Sequence, residues 1–265
     1  MKIDSHQHFW IYGSEYAWID DSIAMLRRDF LPGDLEPLLK ENGFDGCIAV
    51  QARQTVEETE FLLKLAREND FIKGVVGWVD LNQPFEVEDS KLKGIRHIVQ
   101  AEPIGFLDQP NFRAGVRALA KKGLTYDLLI RSNQLEEATR FVQAVPEVKI
   151  VLDHIAKPDI RNRQWEPWAS NIREISRCDN LYVKLSGMAF EADWATWTSD
   201  TLAPYMEHVL ACFGPKRCMI GSDWPVCLAA GNYGKIIESI ESLLSDDDAT
   251  AMLGGNASAF YNLTA

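Results

Sequence analysis

Two imidazoles stand two residues apart near the start of the chain, in Asp4-Ser5-His6-Gln7-His8. On a β-strand alternate side chains share a face, so this spacing points Asp4, His6 and His8 to one side. Two imidazoles converging on one small volume can hold a divalent metal or present donors to a substrate oxygen. Three more groups suited to such chemistry, His97, His154 and Asp223, lie far along the chain. The fifth histidine, His208, falls within an expected helix and reads as a solvated surface residue.

Groups so far apart in sequence need a scaffold that gathers them. Short apolar runs alternate with amphipathic stretches along the whole chain. After the first strand, which carries His6 and His8 at its end, strands are expected at 45–51, 71–81, 92–99, 125–130, 148–155, 181–185 and 217–222. Helices are expected from Asp34, as N-cap with Pro37 in the first turn, to Asn42-Gly43, and at 55–68 with Thr55 capping. Others follow at 110–122, 134–145, 165–176, 200–213, 233–244 and 247–260. Eight strands alternating with helices predict an α/β fold, a (β/α)8 barrel, whose chemistry sits at the carboxyl ends of the strands. That rule puts His6, His8, His97, His154 and Asp223 on one rim.

The bulk composition agrees. With 265 residues, 46% of them hydrophobic, one large core and a single domain over 1–265 are expected, with an insertion at about 11–32. Tyr12, Tyr16 and Trp18 in that insertion suggest a flap over a pocket. A formal charge of -12, from 39 acidic against 27 basic residues, argues against nucleic-acid and acidic-membrane partners. Cys47, Cys178, Cys212, Cys218 and Cys227 form no Cys-x-x-Cys pair, and two lie in apolar runs, so reduced core thiols are expected. Reduced thiols, with no leader-like start and no membrane-length apolar run, point to the cytoplasm. No Gly-x-Gly-x-x-Gly follows the first strand and no Gly-x-x-x-x-Gly-Lys occurs, which removes the usual nucleotide-binding sheets. Oligomeric state is not legible in the sequence.

Other polar residues fall near strand ends: Gln51, Arg53, Trp78, Asp80, Tyr126, Arg131, Lys157, Lys184 and Ser186. Lys184 shares a face with Tyr182 and Ser186, and either serves the site or forms a salt bridge inside the barrel. Arg96 and His97 are adjacent and face opposite ways, so one of them looks inward. Trp10, Trp78 and Trp224 are placed either to stack on a sugar ring or to pack in the core.

The His-x-His of the first strand, Leu152-Asp153-His154 and Gly221-Ser222-Asp223-Trp224-Pro225 resemble the amidohydrolase superfamily of (β/α)8 barrels. Gly77-Trp78-Val79-Asp80-Leu81, Lys93-Gly94-Ile95-Arg96-His97, Tyr126-Asp127-Leu128-Leu129, Asp153-His154-Ile155-Ala156-Lys157-Pro158, Val183-Lys184-Leu185-Ser186-Gly187 and Gly255-Asn256-Ala257 narrow it. Together they are similar to the sugar-lactonase branch, the fuconolactonase and rhamnonolactonase group of carbohydrate metabolism. The resemblance implies a hydrolase that opens a sugar lactone to its acid, with Asp223 as base for water and His6, His8 and His154 polarising the carbonyl. Gln51, Arg96, His97, Lys157, Trp224 and Trp78 are the candidates to bind the substrate. The chain departs from binuclear members in having Asp127 where they carry a histidine and no plain metal-bridging residue. His6, His8, His154 and Asp223 could still hold one zinc, and the resemblance is equally compatible with metal-independent hydrolysis. Two rival activities use the same set: a metal-dependent decarboxylase of an unsaturated or aromatic acid, and a pyrone-type dicarboxylate lactonase served by Arg53, Arg96 and Arg131.

Overall fold

A computed structural model describes residues 1–86 and 88–264. Eight parallel strands run in sequential order: Ile3–Gln7 (β1), Gly46–Val50 (β2), Ile72–Gly77 (β3), Leu92–His97 (β4), Thr125–Leu128 (β5), Ile150–Leu152 (β6), Leu181–Leu185 (β7) and Cys218–Ile220 (β8). The seam between β8 and β1 is bridged by the residues that follow β8. Asp223 N donates to His6 O at 2.8 Å, and His8 N donates to Trp224 O at 2.7 Å. The barrel therefore closes through the backbone of its candidate active-site residues, as the (β/α)8 expectation requires.

The helices are Pro32–Glu41 (α1), Val56–Glu68 (α2), Pro110–Lys121 (α3), Leu135–Ala144 (α4), Trp168–Ile175 (α5), Ser199–Phe213 (α6), Tyr233–Glu241 (α7), Asp246–Thr250 (α8) and Asn256–Phe260 (α9). None of the described helices is long and apolar enough to cross a membrane. Their outer layer and the outward strand faces form the main core. A smaller core fills the barrel, with Ile3, Ile48, Val50, Val76, Val151 and Met219 packed on Ala257, Phe260 and Tyr261 of the terminal segment. That terminal segment plugs the end of the barrel away from the cavity.

Several boundaries differ from expectation for local reasons. Helix α1 begins at Pro32, and Asp34 acts from inside the first turn by accepting from Leu31 N at 2.9 Å. Pro37 consequently lies in the second turn. Strand β3 stops at Gly77 because the Thr59 hydroxyl captures the next residue, accepting from Trp78 N at 2.7 Å and donating to Trp78 O at 2.8 Å. The expected 247–260 helix is broken into α8, a wide turn at Ala251–Gly255 and α9. His208, expected to be solvated, is half-buried, its Nε2 facing Ala169 O at 2.8 Å and its ring packed on Trp165 and Trp168. All five cysteines are free thiols.

The insertion leaves and returns through one backbone pair, Trp10 N to Phe30 O at 3.0 Å and Phe30 N to Trp10 O at 2.9 Å. Within it Tyr16 is buried and donates to Glu58 Oε1 at 3.2 Å, which ties the insertion to α2. Trp18 stays exposed at the cavity rim. Part of the aromatic content is therefore packing, and part of it does face a pocket.

Candidate active site

Four segments build the site. The register of β1 on β2 shifts between Asp4 and Gln7, and this irregularity breaks the two-residue alternation. Asp4 consequently does not share the face of His6 and His8. Its carboxylate accepts from Ser222 N (2.9 Å), Ser222 Oγ (2.6 Å) and Tyr233 Oη (3.1 Å), fastening β1 to the β8 exit and α7. Burial pushes the Asp4 carboxyl up to about 6 although these hydrogen bonds oppose the shift.

His154 lies beyond the end of β6, in a run of four non-glycine residues with left-handed backbone: His154 (φ 53°), Ile155 (48°), Ala156 (60°) and Lys157 (50°). Asp223 is left-handed as well (φ 58°). Such backbone costs roughly 1–3 kcal/mol per residue, and it persists where the surroundings over-determine it. Two glycines make room. A Cβ on Gly187 would lie 2.6 Å from His154 Nδ1, and one on Gly221 would lie 2.6 Å from His6 Cβ. The imidazoles approach the β7 and β8 exits this closely only because those positions lack side chains.

Three imidazoles are anchored at Nδ1 and converge at Nε2. His8 Nδ1 faces Val50 O at 2.7 Å, His154 Nδ1 faces Ser186 Oγ at 2.9 Å, and His6 Nδ1 lies 3.3 Å from Asp153 Oδ1. Their Nε2 atoms lie 3.3 Å (His8), 3.8 Å (His6) and 3.9 Å (His154) from a single oxygen, Asp223 Oδ1. Burial drives His154 down to about 4 and His6 well below the usual histidine range. For Asp223, burial opposes ionisation, but His154, a hydrogen bond from His8, and His6 outweigh it and hold the carboxyl below the usual range. At neutral pH the centre is a carboxylate among imidazoles, with His6 and His154 uncharged.

This cluster forms the floor of a cavity of about 870 Å³. His8, Arg96, His154, Lys157 and Asp223 line it, with Arg131, Arg161 and Glu191 around them and an apolar wall that includes Trp18, Ile23, Ile98, Leu129, Phe190 and Trp194. Lys157 Nζ lies 3.9 Å from Glu191 Oε1. Burial lowers the Lys157 ammonium and raises the Glu191 carboxyl.

The remaining sequence candidates lie elsewhere. His97 faces the helix layer, its Nε2 2.8 Å from Glu102 Oε1, its Nδ1 accepting from Trp78 Nε1 at 3.3 Å and its ring stacked on Phe106. Of the adjacent pair it is Arg96 that looks inward. Trp224 is buried edge-to-face against Phe9 and Phe30. Gln51 braces Arg96, donating from Nε2 to Arg96 O at 3.1 Å while the Gln51 backbone carbonyl accepts from Arg96 Nη2. Arg53 is turned to Glu15, 3.3 Å away. None of these five polar and aromatic side chains, His97, Trp78, Trp224, Gln51 and Arg53, lines the cavity.

Beneath the cavity runs a buried polar network that single-residue reading did not assemble. Lys184 Nζ is 2.5 Å from Asp127 Oδ2, 3.1 Å from Asp153 Oδ1 and 3.2 Å from His6 Nδ1. Arg96 Nη1 donates to Asp153 Oδ2 at 3.0 Å, and Tyr261 Oη donates to Asp127 Oδ2 at 2.8 Å. Burial pushes Asp127 up to about 6 against the pull of Lys184. Asp153, although fully buried, is held well below the carboxylate range by Lys184, His6 and Arg96. On a regular strand Asp153 and His154 would face opposite ways; the left-handed turn is what brings both into one network.

The donor set suits a divalent cation. One atom each from His6, His154 and Asp223 lies within 4.8 Å of the others, and each imidazole carries the outer hydrogen-bond partner common around metal-ligating histidines.

A family model described as amidohydrolase matches residues 3–263. The chain belongs to the amidohydrolase family. Among characterised members it is 37% identical to the L-fucono-1,5-lactonase of Burkholderia multivorans, over 99% of this chain and 96% of that protein. It is 34% identical to the L-fucono-1,5-lactonase of Burkholderia ambifaria over the same shares, 99% and 96%. A crystal structure of a Burkholderia multivorans amidohydrolase with bound zinc superposes with a TM-score of 0.94 at 37% identity, covering 100% of both chains. This amidohydrolase chain thus shares with that relative the whole barrel.

Proposed function

We propose that this amidohydrolase hydrolyses the ester bond of a sugar lactone, releasing the open-chain sugar acid. The observation that carries the reading is the convergence of three imidazoles on the Asp223 carboxylate at the floor of a cavity large enough for a sugar ring. The fuconolactonase relatives supply the substrate class.

A lactone offers an acyl carbon open to water and an alkoxide leaving group tethered to the same molecule. Hydrolysis needs a base for the water, donors for the developing oxyanion and an acid for the alkoxide. Asp223 accepts the water proton as oxygen attacks the acyl carbon, then returns it to the ring oxygen as the acyl–oxygen bond breaks. His154 is suited to donate, because its Nδ1 can accept from the Ser186 hydroxyl and leave Nε2–H toward the cavity. His8, with Val50 O on one nitrogen and Asp223 on the other, orients the carboxylate. The fixed Arg96 guanidinium in the cavity wall favours negative charge on the carbonyl oxygen. Lys157, Glu191 and Arg131 are placed to bind sugar hydroxyls, and Trp18, Phe190 and Trp194 to cover the apolar ring face. If a divalent cation such as zinc is bound, His6, His8, His154 and Asp223 are the residues to hold it, and it supplies Lewis-acid polarisation and a more acidic water.

A pH-indicator assay across aldonolactones, with L-fucono-1,5-lactone first, tests the reading. Acid release confined to one stereochemical series is expected. Saturable binding with no acid release from any lactone would discard it.

A further inference from the structure

The insertion supplies one wall of the cavity. Trp18, Asp20, Ser22 and Ile23 all line it, and Asp20 Oδ1 is fixed there by accepting from Ser22 N at 2.8 Å. Among the described residues, two hydrogen bonds join residues 12–26 to the rest of the barrel. Arg53 Nη1 donates to Glu15 Oε1 at 3.3 Å, between side chains that are 28% and 44% exposed, where water competes. Tyr16 Oη donates to Glu58 Oε1 at 3.2 Å, and both residues are within 4% of full burial. Glu58 stands in the first turn of α2, and its other oxygen is engaged too. Oε2 accepts from Ala52 N at 3.0 Å and from Arg53 N at 2.6 Å, and Ala52 also lines the cavity. One buried carboxyl thus holds two separate stretches of cavity wall, the insertion and the loop leaving β2.

The hold of Glu58 begins past the strand. Gln51, one residue earlier, is fixed by donating from N to Val76 O at 2.8 Å and from Nε2 to Arg96 O at 3.1 Å. The reacting groups sit beyond β1, β6 and β8 and have their own anchors. We propose that Glu58 and Tyr16, neither of which lines the cavity, are positioning residues for substrate affinity: together they fasten the wall made by Trp18, Asp20, Ser22, Ile23 and Ala52. A wall left loose must be ordered when the substrate binds, and that ordering is subtracted from the binding free energy. It is subtracted equally in the ground state and the transition state, so KM changes and kcat does not. The effect on affinity rests on the lactonase reading above, whereas the hold on the insertion does not.

Two measurements test the parts separately: steady-state kinetics on a lactone the wild type turns over, and timed trypsin digestion with cut sites read by mass spectrometry. Arg27 and Arg28 are the trypsin sites within the insertion. The proteins are the wild type, Tyr16→Phe, Glu58→Gln and Glu58→Ala. Burial raises the Glu58 carboxyl to about 7 against the pull of its hydrogen bonds, so an uncharged amide is a fair replacement. Its oxygen can accept from the two backbone N–H groups while its NH2 donates to Tyr16 Oη. Glu58→Gln is therefore expected to stay within about threefold of wild type in KM and in cutting rate. Tyr16→Phe is expected to raise KM about fivefold with kcat within twofold, and to speed cutting after Arg27 or Arg28 at least fivefold. Glu58→Ala, which frees both stretches, is expected to raise KM at least tenfold. Simple loss of stability would lower the active fraction, and with it kcat, but not KM. Equal cutting of wild type and Tyr16→Phe would overturn the hold on the insertion, whatever the lactone result. Faster cutting with KM unchanged, or a fall in kcat in place of a rise in KM, would overturn the role in affinity. Tyr16→Phe alone decides both points if Glu58→Ala does not fold.

Discussion

Two ionic clusters share the barrel and are built on opposite terms. Inside it, toward α9, the cations Lys184 and Arg96 face the anions Asp127 and Asp153, all within 3% of full burial. At the cavity floor the Asp223 carboxylate has imidazoles as its ion-pair partners among the described residues, and it borders open space. The first cluster is matched charge for charge, with Arg96 alone also bordering the cavity, and breaking one match strands another charge in a buried setting. The second is left open, with a base whose ordinary partner is withheld. The same residue types give a structural brace in one place and reactive groups in the other, and the difference is what surrounds them.

The sharpest way to break this contrast is Asp223→Asn. Loss of lactone turnover by about a thousandfold is expected from removing a general base, with the far-UV spectrum and melting temperature nearly unchanged. A variant with near-native kcat would take Asp223 out of the chemistry. Lys184→Met should do the reverse. It strands Asp127 beside Asp153 and is expected to cost roughly 3–5 kcal/mol in urea unfolding, with Lys184→Met/Asp127→Asn recovering part of the loss. If Lys184→Met unfolds at the wild-type midpoint, the brace is not one.

The pH dependence separates the clusters more finely. His154 is held near 4, below the ordinary histidine value, so its uncharged state is stabilising above about 6.5 and that contribution is lost as pH falls through 4. Asp223 ionises lower still. Between neutrality and about pH 5, kcat/KM is therefore expected to be flat, with an acid limb near 4. A limb at 6.5 would mean that His154 titrates as if exposed. The smallest effect is expected at His97→Gln. With its ring packed away from the cavity, turnover should stay within about threefold, and stability should fall by roughly 1 kcal/mol as the Glu102 and Trp78 contacts weaken. A hundredfold drop in kcat/KM would return His97 to the site.

Much of the scaffold is legible in the sequence because it follows from local periodicity. Thr55 caps α2 as its spacing to Glu58 suggests, accepting from Glu58 N at 3.1 Å, and β7 runs over the same five residues in both readings. Boundaries slipped where a partner distant in sequence decided them, as when Thr59 ends β3. The adjacent pair at the end of β4 shows the limit for site residues. Alternation says that Arg96 and His97 face opposite ways, but which one faces inward depends on register with β5 and on Asp153 being there to receive the guanidinium.

By itself the chain specified its alternating elements, the rim on which His6, His8, His154 and Asp223 fall, and the family its strings resemble, because those depend on neighbours in sequence and on a rule common to all such barrels. Only the tertiary structure decided that Asp4 turns away, that Asp153 joins His154 in one network, and that Arg96 turns inward against His6. Each of these follows from a β1 irregularity, a left-handed turn or a cross-barrel contact, and such features arise from packing between distant segments rather than from any local pattern.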